Sequence, residues 1–189
     1  MTAANSFGRN FVITIFGESH GKGVGITVDG VPPGLEIDKE QIQFDLTRRR
    51  PGQSKISTPR NEKDLVQFIS GVKNDIATGA PLTMFIQNKD HRSKDYSLFR
   101  KVHRPSHIDY PAILRYGESV DLRGSGIFSG RLTAPIVMAG GVAKTILRDY
   151  GVKIGAFVSR IGEVHDTSAY NVEEIKSNVE KNLVRTVDQ

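Results

Sequence analysis

A chain of 189 residues with 38% hydrophobic and 25% charged residues has the composition of a folded globular protein that can bury one sizeable core. It contains no cysteine, which excludes a disulfide framework and a thiolate metal site and suits a reducing cytoplasm. The net charge of +5 favours anionic partners: nucleic acid, an anionic membrane, or small phosphorylated and carboxylated molecules.

In chain order, FVITIF (11–16) is β-rich and too short for a membrane span or a secretory core. With GITVDG (25–30) it predicts two strands separated by a glycine loop. VPPG (31–34) is turn chemistry. Asp38 then starts a helix as N-cap, with Gln41 as its capping-box partner; Ile42 and Leu46 share one face. Pro51-Gly52 ends that helix after Arg48-Arg49-Arg50. LVQFISGV (65–72) and PLTMFIQN (81–88) predict two further strands, and a short helix is expected over 109–116.

A long helix is expected from Thr133-Ala134-Pro135, because proline suits a first turn, to Tyr150, with Gly151 as its stop. Gly140-Gly141 in its middle cost about 1 kcal/mol each in helix propensity, so another backbone should pack closely there. VKIGAFVSRIGEV (152–164) reads as one long strand or two. A last helix has Asn171 as N-cap, Glu174 as box partner, and Ile175, Val179 and Leu183 on one stripe. No internal boundary divides 1–189, and the strands lie too close together for regular βαβ alternation, so the class is α+β.

Three stretches carry candidate chemistry. Gly17-Glu18-Ser19-His20-Gly21 fits the Gly-x-Ser-x-Gly pattern of a hydrolase elbow, but that elbow needs a helix immediately after the serine. Glycines, β-branched residues and two prolines follow instead, and the spacings of phosphate and dinucleotide loops fail as well. What is left is a Ser-His pair on bare backbone, where a ligand can approach closely and His20 can donate a proton at neutral pH. A tight hairpin with an exposed His20 is the other reading.

In Arg104-Pro105-Ser106-His107, a cation that can fork onto phosphate or carboxylate sits within one turn of a titratable ring. A solvated loop histidine is the plain alternative there, and it is the reading adopted for His91, His103 and His165. No pair shows metal-ligand spacing, so no metal is expected. Ser129 and Arg131 precede the long helix, whose free N–H groups favour anions; a glycine-rich turn before a packed helix is the alternative.

Together these stretches resemble the chorismate synthase family. FGESHGKGVGITVDGVPPGLEI resembles its first signature and DLTRRRPGQSK its arginine-rich segment. SGVKNDIATGAPLTMFIQNKDHRSKDY, HRPSHIDYPAILRYGE and GIFSGRLTAPIVMAGGVAK follow in family order. The resemblance implies a sandwich of helices between β-sheet layers, here incomplete. It implies a phosphate lyase of the shikimate pathway of aromatic amino-acid biosynthesis. That reaction is the 1,4-anti elimination of phosphate from 5-enolpyruvylshikimate 3-phosphate to give chorismate. Reduced FMN is needed although there is no net redox change, with NADPH as a candidate reductant.

By the same resemblance, His20 is the general acid near the departing phosphate, and His107 stabilises the reduced flavin by proton transfer. Ser19, Arg49, Arg104 and Arg131 match substrate-binding positions, and Arg49, Lys55, His107 and Ser129 match flavin-binding positions. A cytoplasmic homotetramer acting on a small molecule, with neither nucleic acid nor membrane as partner, is implied for the full-length protein. The chain departs from the family at Ile127-Phe128, at Lys55 in place of arginine, and at Ser106 in place of glycine. Family chains are longer and carry further flavin contacts and a catalytic aspartate beyond this point, so an inactive amino-terminal portion is expected. The alternative function is a basic nucleic-acid-binding domain using 88–107, where Tyr96 and Phe99 would stack on bases; such sparse aromatics argue against it.

Overall fold

The computed structural model describes residues 4–52, 62–89, 96, 98–99 and 101–188; Lys55 and His91 lie outside them. A five-stranded antiparallel sheet has the order β1-β2-β3-β7-β4. Its strands are β1 (Ser6–Phe7), β2 (Val12–Gly17), β3 (Gly23–Asp29), β4 (Gln67–Ser70) and β7 (Leu82–Gln87). Two helices, α1 (Lys39–Arg49) and α3 (Thr133–Arg148), cover one face. Between sheet and helices lie Val24, Ile26 and Val28 of β3, Leu82, Met84 and Ile86 of β7, Ile42 and Leu46 of α1, and Met138 and Val142 of α3, all buried.

The alternation in GVGITVD follows from the two faces of β3. One face takes branched side chains into the core. On the other, the Phe16 and Phe85 rings stack at 6.5 Å over the glycines. A Cβ on Gly23 would lie 2.2 Å from Phe85 Cζ, and one on Gly25 would lie 2.3 Å from Phe16 Cζ. Neighbouring rings therefore occupy the space a side chain would need.

Asp38 caps α1 through the Gln41 N–H (2.9 Å), a one-sided cap rather than the reciprocal box expected. In α3 the glycine expectation holds at one position of two. A Cβ on Gly141 would lie 2.6 Å from Ile42 Cγ1 and 3.3 Å from Ile42 Cα, so α1 crosses there, whereas Gly140 faces open space. The run 123–148 has the length and apolarity of a membrane span, but α3 is the core helix and left-handed residues 124–126 interrupt the run before it.

Two expected strands are corrected. LVQFISGV is broken at Gly71, whose φ of +81° turns the chain against Leu82. β4 ends before it, while β5 (Val72–Lys73) pairs separately with β6 (Ile76–Ala77). VKIGAFVSRIGEV forms only the short hairpin of β8 (Arg160–Ile161) and β9 (Val164–His165). Its first half packs Gly155 on Ile175 and Val172 instead of pairing with a strand. Helix α2 (Asp109–Tyr116) forms as expected. In α4 (Val172–Asn178) the Asn171–Glu174 capping box is complete. Ile175 and Val179 are buried in a small second cluster, but Leu183 lies beyond the helix and is 66% exposed.

Candidate active site

The β2–β3 hairpin, the end of β7 and the 122–132 turns meet at one end of the sheet. Strand β3 begins at Gly23, where a hydrolase elbow would require a helix, so the chain after Ser19 has the wrong shape for that chemistry. The hairpin reading holds in part: Gly21 N–H donates to Glu18 O at 3.0 Å, closing the turn. Exposure does not. His20 is 8% exposed and Ser19 2%, because the 122–126 turn folds over them. Ser19 N–H donates to Gly126 O at 3.2 Å.

That turn has three successive left-handed residues, Gly124, Ser125 and Gly126. A Cβ on Gly124 would sit 2.4 Å from His20 Cδ2, so only glycine lets the backbone rest on the imidazole. The Tyr96 ring meets the imidazole edge-on at 4.9 Å.

Arg104 lies next to this group. Its Nε and Nη2 fork onto Asp109 at 2.8 and 2.7 Å, and Nη2 also donates to Ser125 Oγ at 3.2 Å. Its guanidinium sits over the Phe99 ring at 4.4 Å and the Tyr96 ring at 5.5 Å, so both aromatics assigned to base stacking are already engaged. Hydrogen bonds from Arg104 hold the buried Asp109 carboxyl below its ordinary range against the opposing effect of burial, with a smaller contribution from His107. His107 is exposed, whereas the buried His20 lies against Tyr96.

A depressed folded-state pKa makes the Asp109 contribution fully present above the ordinary value of 3.8 and lost as pH falls through the lower folded value. Thermal melts of Asp109→Asn followed from neutral to acid pH should therefore converge on the parent below that range, having been lower above it.

The Arg104–His107 turn closes through His107 N–H to Arg104 O at 3.3 Å, with proline second and Ser106 third at φ +61°. That is the pattern of a type II turn, which favours glycine at Ser106. Ser106→Gly is expected to raise stability by about 0.5–1 kcal/mol, since the left-handed cost of about 1–2 kcal/mol exceeds the added unfolded-state entropy. A rise in melting temperature measures it.

A second cluster surrounds Asp64, which is buried. Arg131 Nη1 donates to Asp64 Oδ1 at 2.5 Å and Arg49 Nη1 to Asp64 Oδ2 at 3.0 Å. Arg131 Nε donates to Asn88 Oδ1 at 3.0 Å, while its Nη2 is buried with no hydrogen-bond partner among the described residues. Asn88 Nδ2 lies 3.0 Å from each of the carbonyl oxygens of Glu18, Ser19 and Gly21. Ser129 Oγ accepts from Arg131 N–H at 3.2 Å, and Phe128 rests against Tyr116. Arg48 turns away to Glu180 and Asp45, so the arginine triplet splits between site and surface.

Ser19, His20 and Arg104 thus form one group and Arg49, Arg131 and Ser129 another, joined through Asn88. Asp64, Asn88 and Ser125 were missed by sequence reasoning. The one available signal was a polar Asn88 closing an apolar strand; nothing marked Asp64. A groove of about 720 Å³ between α1, α3 and 151–156 shares no residue with either group.

The family model of chorismate synthase matches residues 11–189. The chain belongs to the chorismate synthase family. It is 45% identical to the chorismate synthase of Methanocella arvoryzae over 97% of this chain and 49% of that protein. It is 47% identical to that of Prochlorococcus marinus over 98% of this chain and 51% of that protein. A crystal structure of a chorismate synthase superposes with a TM-score of 0.69 at 27% identity, covering 95% of this chain and 48% of that one. The fold is therefore an incomplete α+β chorismate synthase fold, and the chain spans about half the length of the relatives it matches.

Proposed function

We propose that this chain is the amino-terminal part of a phosphate lyase that eliminates phosphate from 5-enolpyruvylshikimate 3-phosphate to give chorismate. One observation carries the reading. Two guanidinium groups, Arg49 and Arg131, share the Asp64 carboxylate, and the buried Arg131 Nη2 has no hydrogen-bond partner among the described residues. A buried cation left with an unsatisfied donor is costly, and an anionic ligand would satisfy it. The same orphaned donor fits a phosphorylated group, whether of the substrate or of FMN. Arg49, Lys55, Ser129 and His107 are the residues that would hold the flavin, which in its reduced form supplies electron density for C–O cleavage without net oxidation.

The chain's own residues then divide the work. Arg104, pre-aligned by Asp109 and Ser125, would orient an anionic substrate group, with Ser19 beside it. His20 would give its proton to the departing phosphate oxygen, sheltered from water by the 122–126 turn and Tyr96. His107, in contact with solvent, would hold a proton next to the cofactor. The rings of Tyr96 and Phe99 lie against His20 and Arg104, which favours a small anion over a nucleic acid. The complete assembly is a cytoplasmic homotetramer in this reading, with NADPH as a candidate reductant.

The test is anaerobic phosphate release from 5-enolpyruvylshikimate 3-phosphate with reduced FMN. This chain alone should release none. Supplied with the remaining half of the Methanocella arvoryzae relative, it should turn over. Release by the chain alone would refute its incompleteness, and silence from a folded two-part assembly would refute the activity. Replacing the chemical reductant by NADPH reads out the reductant.

A further inference from the structure

Asn88 hydrogen-bonds to both groups of the site. It is buried at the end of β7, where its own N–H donates to Lys22 O at 3.1 Å across the hairpin base. Its amide orientation is fixed by chemistry. Arginine only donates, so the atom facing Arg131 Nε must be the carbonyl oxygen, which turns the NH2 to the three loop carbonyls. Glu18, Ser19 and Gly21 thus point their carbonyl oxygens at one donor, and that convergence sets the curvature of the loop that carries Ser19 and His20.

On the other side, the Asn88 oxygen fixes the guanidinium plane of Arg131, whose Nη1 is held by Asp64. With Nε and Nη1 both occupied, Nη2, unpartnered among the described residues, has a fixed direction. We propose that Asn88 is a positioning residue that sets the His20 loop and the Arg131 guanidinium in one mutual geometry, so that the proton donor and the anion-binding donor are placed by a single amide. The roles of His20 and Arg131 rest on the reading above; the placement by Asn88 does not.

Two variants of this chain separate the two faces of the amide. Asn88→Ala removes both. Asn88→Asp keeps the shape and an acceptor for Arg131 but turns a carboxylate oxygen toward the three carbonyls, which repels the loop. The readouts are nuclear magnetic resonance signals that a general loosening would not sort. One is the His20 ring shift induced by the edge-on Tyr96 ring; the other is slow solvent exchange of Arg131 Nε–H. Asn88→Ala should lose both, with the His103, His107 and His165 signals unmoved. Asn88→Asp should lose the His20 shift and keep the Arg131 protection.

A folded variant with His20 at its parent position would overturn the proposal. So would Asn88→Asp that loses both signals together, moves all the histidines, or fails to fold, since each makes Asn88 a general structural member. Neither signal depends on turnover, so a failed phosphate-release assay leaves this result readable, and a failed result here leaves that assay readable.

Discussion

Asp64→Ala is expected to cost about 3–5 kcal/mol of stability, seen as a fall in the urea midpoint with the slope little changed. The carboxylate is fully buried and is shared by Arg49 and Arg131. Removing it takes away the carboxylate that Arg49 and Arg131 share, and Arg131 already has a donor that is unsatisfied among the described residues. Asp64→Asn separates charge from shape, because asparagine keeps one acceptor and tolerates the left-handed backbone at φ +50°. It should fall between parent and alanine. A loss below about 1 kcal/mol in Asp64→Ala, the size of an exposed pair, would mean that the cluster is solvated and not a buried charge site.

His20→Gln, made in the two-part assembly, is expected to lower kcat for phosphate release by about 10²–10⁴-fold with little change in KM, the range for loss of one positioned acid. Glutamine has a donor but no proton to give at neutral pH, so binding contacts survive where proton transfer does not. Ser19→Ala should only weaken turnover if, as proposed, Ser19 helps to bind the substrate and is not itself a nucleophile. Abolition by Ser19→Ala with little effect of His20→Gln would reverse these roles. A KM effect alone at His20 would make it a binding residue.

The local grammar of the chain was readable. Asp38 and Asn171 cap the helices assigned to them, and α2 and α3 begin where expected. Strands β2, β3 and β7 match their apolar runs to within two residues. Each of these rests on near neighbours. The segment 152–164 differs for the opposite reason: its β-rich composition says what a strand could be made of, but among the described residues no strand pairs with its first half, and Gly155 packs on α4 instead.

Sequence alone thus determined the family, the α+β class, two strands joined by a glycine loop, and the residue types gathered for an anion, because each is carried by spacing along the chain. Tertiary structure alone decided that His20 is buried, that Arg48 turns to Glu180 and Asp45, that Asp64 pairs with Arg49 and Arg131, and that Asn88 links the two groups. Those facts depend on contacts such as Arg131 to Asp64, 67 residues apart, and Arg131 to Asn88, 43 apart. A carboxylate or an amide has no local signature of the partner it will meet. Its value is set by how much water the fold removes around it, and only the packed molecule fixes that.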